Sequence, residues 1–383
     1  MRYPLLLAAT GLAALTAACS PSGDTSAPND ATVPLETPAR PRASATPAAA
    51  TPAETGPTTP AVDSQTRPRP AEVKMFGAWA VACDNGAVCT AVSMAPDDAA
   101  IAEAGVTITR GPAPNAPVTI TIGTPAAPAK RIALAVDGRT LATGNADATR
   151  SFTVTGPVAL TLARALATGT AAVARVDGRA VPLVITGAAA ALRYADAAQS
   201  RAGTVSALVA IGPGTTVPPA PTLPTIVAAP LTRRTATPPP ADAIAAMRTR
   251  TRCATDVGGP VSNETVALDE KTDLVLLSCG SGAYNFIAKP VLVRDGRTST
   301  ASFDLSPEFG EPGAGPSIVN GGYDAKTGLL STYAKGRGLG DCGVAQDYAW
   351  DGTRFRLVEM RQLGECRGGL TWPTVWRATV ARP

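Results

Sequence analysis

Histidine is absent from the 383 residues. Its absence excludes Ser-His-Asp and Cys-His nucleophile systems, histidine-ligated zinc and any imidazole pH switch, because each needs a group titrating near neutrality or a neutral imidazole ligand. Aromatic residues make up only 4% of the chain and charged residues 17%, so few side chains are available for chemistry. The net charge is +4, but no basic block is large enough to cover a nucleic-acid face, and no nucleic-acid partner is expected. There is no C-x-x-C pair, and no metal or other cofactor is expected. What the chain has instead is glycine and proline, 36 of each, the composition of a turn-rich protein.

The first residues read as a lipoprotein signal peptide over 1–18. Arg2 supplies the positive start, Leu5 to Leu15 the apolar run, and Thr16, Ala17 and Ala18 a small-residue site ending at Cys19. The apolar run is short of the roughly 20 residues that span a bilayer. A bacterial lipobox usually carries Leu where this chain has Thr16, so ordinary cleavage to a soluble periplasmic product stands as the alternative. By resemblance to enterobacterial sorting, in which Asp after the cysteine retains a lipoprotein at the inner membrane, Ser20 points to the outer membrane. The expected localisation is therefore periplasmic, with acylated Cys19 partnered by outer-membrane lipid.

Setting Cys19 aside leaves an even set, Cys83, Cys89, Cys253, Cys279, Cys342 and Cys366, which in an oxidising compartment implies disulfides. Six cysteines allow 15 pairings. Their clustering favours Cys83 with Cys89, Cys253 with Cys279 and Cys342 with Cys366.

Residues 19–73 follow as Pro, Ala, Thr and Ser with almost nothing to bury. The expectation is a disordered tether of about 40 Å as a coil and about 160 Å when extended. A second Pro-rich stretch, 212–241, reads as a linker. It separates two β-rich domains, 74–211 and 242–383, giving a mainly β, β-rich α+β protein with a few helices. In the first, apolar runs at 76–82, 88–94, 106–110, 118–123, 131–136, 172–176 and 181–185 predict strands. Asp137-Gly138 and Asp177-Gly178 predict type I′ hairpin turns. Helices are expected over 157–167 and 188–201, the second with Leu192, Ala195 and Ala198 on its packed face and Arg193, Asp196 and Arg201 off it. In the second, a short helix opens at Asp242 and strands are expected near 274–278, 284–288, 329–333, 354–359 and 375–380. Sandwich, barrel and propeller-like sheet remain open for it.

Several stretches together resemble a known family: FGAWAVACDNGAVCTAV at 76–92, GAAAALRYADAAQSRAGTVSAL at 187–208, CGSGAYNF at 279–286, YAKGRGLGDCGVAQDYAWDGTRFRL at 333–357, and CRGG and WPTVWRA beyond. They are similar to the proteobacterial periplasmic family catalogued as domain of unknown function 1176. The first half is also distantly similar to invasion-associated locus B proteins, which open on W-x-V-x-C and carry an Asp-Gly turn, although this chain lacks the mid-domain cysteines expected there. The resemblance implies a compartment and an architecture, and no activity.

The strongest chemical candidate is KGRGLGDCG. Lys335 and Arg337 flank Gly336, Gly338 and Gly340, so successive backbone N–H groups could form an anion nest between two cations. The competing reading is a tight β connection that positions Cys342. A dyad of Ser331 with Lys335 lacks the S-x-x-K spacing. Glu308 and Glu311 could pair as acid and base or stand as solvated loop charges. Asp324 reads as turn chemistry, and Trp372 and Trp376 as a sugar platform or as core plugs. Arg248, Arg250 and Arg252 form a local basic cluster.

Taken together these residues predict a non-enzymatic envelope lipoprotein, a binding or scaffolding module that meets an envelope protein or glycan. One alternative rests on SGAY (281–284) and YAKG (333–336), which resemble the serine and lysine loops of membrane-bound lysozyme inhibitors, where a cation enters an acidic cleft. A further alternative is a histidine-free hydrolase using Glu308, Glu311 or Lys335.

Overall fold

The computed structural model describes residues 63–96, 102–125, 128–253, 262–310 and 312–383. The signal peptide, Cys19 and most of the expected tether lie outside them, as does Glu311.

The first half builds two antiparallel sheets. One is ordered β1 (Lys74–Phe76), β2 (Trp79–Cys83), β3 (Cys89–Ser93), β4 (Gly105–Arg110), β5 (Val118–Gly123) and β8 (Ser151–Thr155). The other is ordered β10 (Arg179–Leu183), β9 (Ala172–Val176), β6 (Arg131–Val136) and β7 (Arg139–Asn145). Alternation directs Val106 and Ile108, and Val118, Ile120 and Ile122, into one core. Helix α1 (Gly156–Thr168) closes that core with Ala159, Leu162, Ala163 and Leu166. Both Asp-Gly turns have positive φ at both positions, 48° and 79° at 137–138 and 49° and 88° at 177–178, as a type I′ turn demands.

Helix α2 (Ala188–Ala198) differs from expectation at its end and on one face. Asp196 and Arg201, placed off the packed face by periodicity, are 1% and 0% exposed. The Asp196 carboxylate accepts the N–H groups of Leu208, Val209 and Ala210. Arg201 donates to the carbonyls of Gly111, Pro112, Ala113 and Pro114, and Gln199 to those of Ala87, Arg110 and Gly111. Two irregular loops, rich in proline and glycine and unable to satisfy their own backbone, are thereby hydrogen-bonded inside the protein. The helix stops at residue 198 because the next residues turn inward to serve those loops.

The second half is two sheets over one core. The first is ordered β12 (Glu264–Ala267), β13 (Thr272–Ser281), β14 (Phe286–Arg294) and β15 (Arg297–Thr300), with β16 (Ile318–Val319) also on β14. The second is ordered β17 (Gly322–Asp324), β18 (Leu329–Lys335), β19 (Gly343–Trp350), β20 (Phe355–Leu363) and β21 (Thr374–Arg377). Leu274, Leu276 and Leu292 from one meet Leu330, Tyr348, Phe355 and Trp376 from the other. Helix α3 (Ala241–Thr251) lies against β13 through Met247.

Disulfides join Cys83 to Cys89, Cys253 to Cys279 and Cys342 to Cys366. The Cys83–Cys89 ring presents Asp84 and Asn85 to the second half. Asp84 accepts from Arg377 Nε at 2.5 Å, and Asn85 exchanges two hydrogen bonds with the Arg377 backbone at 2.7 and 2.8 Å. A small third core also spans the halves, with Ala80 and Met94 against Ala345, Leu363 and Trp372.

Composition assigns 63–73 and 212–241 to spacers, yet both lie against the second half. β11 (Thr225–Val227) pairs in parallel with β22 (Thr379–Ala381). Ser64 N donates to Thr225 O, and Asp63 accepts from Val227 N and from buried Arg356, which also binds Asp304 and Asp351. A few apolar residues among the prolines, Ile226 and Ala228 in particular, are fully buried, and that is enough to hold the strand.

Removing the Arg201 guanidinium takes a donor from four loop carbonyls and leaves those of Pro112 and Pro114 without one. Arg201→Ala is expected to destabilise the protein by at least about 3 kcal/mol, read as a lowered midpoint in denaturant unfolding, whereas Arg193→Ala on the exposed face should change it little.

Candidate functional site

The tip of the β13–β14 hairpin and the end of β18 are locked together by two asparagines. Asn285, 4% exposed, accepts from Asn320 Nδ2 at 2.7 Å and from Lys335 N at 3.5 Å, and donates to Lys335 O at 3.4 Å. Asn320 donates its N–H to Phe286 O and accepts from Phe286 N, and its amide also reaches Tyr333 O. Its φ of 44° is left-handed, a conformation that asparagine adopts more readily than most residues. The CGSGAYNF and YAKGRGLG stretches, half a hundred residues apart, therefore form one surface. On it Tyr284 is 42%, Phe286 67% and Leu339 49% exposed. Tyr284 and Phe286 are the two aromatic members of the exposed large hydrophobics among the described residues.

The glycine loop beside them is already hydrogen-bonded internally. Gly336 N donates to Cys342 O and Gly340 N to Arg337 O. Arg337 forks onto Asp341 at 2.8 and 2.6 Å, and the same carboxylate accepts Gly368 N at 2.5 Å. Burial pushes the Asp341 carboxyl upward, but the Arg337 fork and the Gly368 N–H outweigh it and hold the group below the usual aspartate range. Of the residues read as an anion nest, Gly336 and Gly340 are buried with their amides engaged, Arg337 is paired, Gly338 is exposed, and Lys335 ends β18 against Asn285. The loop is a brace more than a cradle.

The remaining candidates separate cleanly. Ser331 Oγ donates to Asp347 and is not directed to Lys335 as a base. Asp324 accepts Lys326 N within its turn. Trp372 stacks on Tyr333 with centroids 4.7 Å apart, and Trp376 donates to Leu357 O; both are buried, which removes the sugar-platform reading. Arg248 and Arg250 are bonded to Ser278 O and Thr298 O, which leaves no arginine triad facing outward. Glu308 is exposed at the rim of a cavity of about 210 Å³ that opens at the same end of the sandwich. Sequence reasoning missed Asn285, Asn320 and Asp341 as organisers. Asparagine and aspartate beside glycine read as turn formers, and nothing local signals that their partners lie on other strands.

Because Asp341 has a folded pKa below its unfolded one, its contribution is present above the ordinary aspartate value, about 3.9, and is lost as pH falls through the folded value. Thermal melts should show wild type losing stability over that acid window more steeply than Asp341→Asn, with the variant about 1–3 kcal/mol less stable at neutral pH. Parallel pH profiles would contradict the assignment.

The family described as protein of unknown function (DUF1176) matches residues 73–379. The uncharacterized protein YpfG of Escherichia coli (strain K12) is 34% identical over 214 residues, covering 50% of this chain and 58% of that protein. The chain thus spans less than two thirds of that relative's length. Among solved structures, the invasion associated protein B of Bartonella henselae aligns with 34% of this chain and 99% of its own at 16% identity and a TM-score of 0.26. With the match running from before β1 into β22, the chain belongs to the DUF1176 family of proteins of unknown function.

Proposed function

We propose that this protein is a non-enzymatic, cell-envelope binding module, exported to the periplasm and anchored in the outer membrane through lipidated Cys19. Its docking surface is the tip that carries Tyr284, Phe286 and Leu339. The observation that carries this reading is the asparagine lock. It holds two aromatic side chains in solvent on a surface whose backbone is fixed by hydrogen bonds to the Asn285 and Asn320 side chains. Exposed aromatics on a rigid support bind a partner with little loss of conformational freedom.

The path of the chain suits a tethered module. It enters the described structure at Asp63, clamped to Arg356, which pairs with Ala349 on β19. Lys335 pairs with Gly343 at the other end of that strand, about 20 Å away at about 3.4 Å per residue. The described chain therefore enters at the end of β19 opposite the tip.

A second reading is favoured by the meeting of Ser281–Tyr284 with Tyr333–Gly336: an inhibitor that presents this surface to an acidic lysozyme-type cleft. In this reading Lys335, the cation of the YAKG stretch, would enter the cleft. One experiment separates the readings. Mature chain and the Tyr284→Ala, Phe286→Ala variant are immobilised, challenged with envelope extract, and assayed in parallel as lysozyme inhibitors. Docking at the tip predicts partners retained by wild type and reduced at least about tenfold by the variant. Equal recovery removes the tip, and absence of lysozyme inhibition by wild type removes the second reading. Loss of membrane fractionation in Cys19→Ser tests the anchor.

A further inference from the structure

The cavity at the tip end of the sandwich has a wall chemistry that the docking surface does not account for. Its walls are Leu305, Pro307, Val319, Ala334, Val344 and Met360. On its floor lies Gln346, 7% exposed. Among the described residues the Gln346 side chain makes one hydrogen bond, from Nε2 to Met360 Sδ at 3.8 Å, and a thioether is a weak acceptor. Of the other polar groups on the lining, two are engaged, and Ser306 adds a half-buried hydroxyl. Thr332 Oγ1 accepts Val319 N at 2.9 Å and Ser317 Oγ accepts Lys289 Nζ at 2.9 Å. A buried primary amide with unspent donor and acceptor capacity in an apolar cavity is a polar group that lacks its complement.

We propose that this cavity binds a small neutral ligand through an acetamido group. The charge of the site sets the first half of that choice. The one ionisable group on its lining is Glu308, exposed at the rim, so an anion would have to pass a carboxylate, and the nearby Lys289 ammonium is already spent on Ser317 Oγ and the Ala314 and Gly315 carbonyls. A cation would have to leave water for an apolar wall. The shape of the amide sets the second half. The ligand carbonyl accepts from Gln346 Nε2 and the methyl packs on Val344, Ala334 and Met360. In a trans amide the N–H points opposite to the carbonyl, which directs it to the rim, where the Glu308 carboxylate accepts it. The rest of the ligand stays at the mouth, so an N-acetylated sugar and an N-acetylated amino acid share the recognised group.

The test is ligand-observed saturation-transfer NMR on the full mature chain, with N-acetylglucosamine and N-acetylalanine as probes and glucosamine and acetate as comparators. The expected result is saturable transfer strongest at the acetyl methyl of at least one probe, with neither comparator binding. Which probe binds more tightly identifies the sugar or amino-acid source. Gln346→Met, of similar volume, should weaken binding at least about tenfold. Val344→Phe, at a half-buried position that can accept the ring, should abolish binding by filling the cavity, and it decides the matter if the Gln346 variant does not fold. No saturable transfer from either acetylated probe, equal binding of glucosamine, or unchanged affinity in Val344→Phe would overturn the proposal.

Discussion

One buried carboxylate, Asp341, determines how the glycine loop, the C-terminal segment and the two halves sit together. It takes two hydrogen bonds from Arg337 within its own loop and one from Gly368 N beyond the Cys342–Cys366 bridge. Gly368 has φ +74°, and a Cβ there would stand 2.1 Å from that of Ala102, so the irregular segment past the disulfide presses directly on the first half. Arg367 extends the contact by donating to Ala95 O. A charge taken out of water needs several donors to be tolerated, and its three hydrogen bonds come from two separate places in the chain.

The tip inherits its rigidity from this arrangement. Lys335 pairs with Gly343, where a Cβ would strike Ala334 O and the Trp372 ring, so β18 and β19 close tightly under the stacked Tyr333 and Trp372. Asn285 and Asn320 then bind the β13–β14 tip to that end. Phe286 is consequently exposed without being on a loose loop, which distinguishes a presented side chain from one that has merely found no core.

Much of the architecture is legible in residue order. Asp-Gly at 137–138 and 177–178 dictates turns by local sterics, alternation sets the faces of β4 and β5, and clustering of the cysteines anticipates three short-range bridges. Interactions that depend on distant partners are not legible. Asp196 and Arg201 look like solvent residues by helical period, because the loops whose amides and carbonyls they satisfy lie elsewhere in the chain. The 212–241 stretch reads as a spacer because its prolines dominate its composition, while the pairing of Ile226 with Val380 is a property of the folded surface. The glycine loop reads as an anion site because its own residues suggest one. Asp341 sits in the same motif, but its pairing with Arg337 across a closed turn appears only in three dimensions.

The central claim is that the tip is a preformed docking surface, and in-cell photo-crosslinking tests it most directly. A photoreactive phenylalanine at position 286 is compared with one at the exposed position 158 on α1. The account predicts a discrete crosslinked species from 286 that is absent from 158 and lost when Asn320→Ala releases the lock. Crosslinks of equal yield from both positions, or a 286 species unaffected by Asn320→Ala, would contradict it.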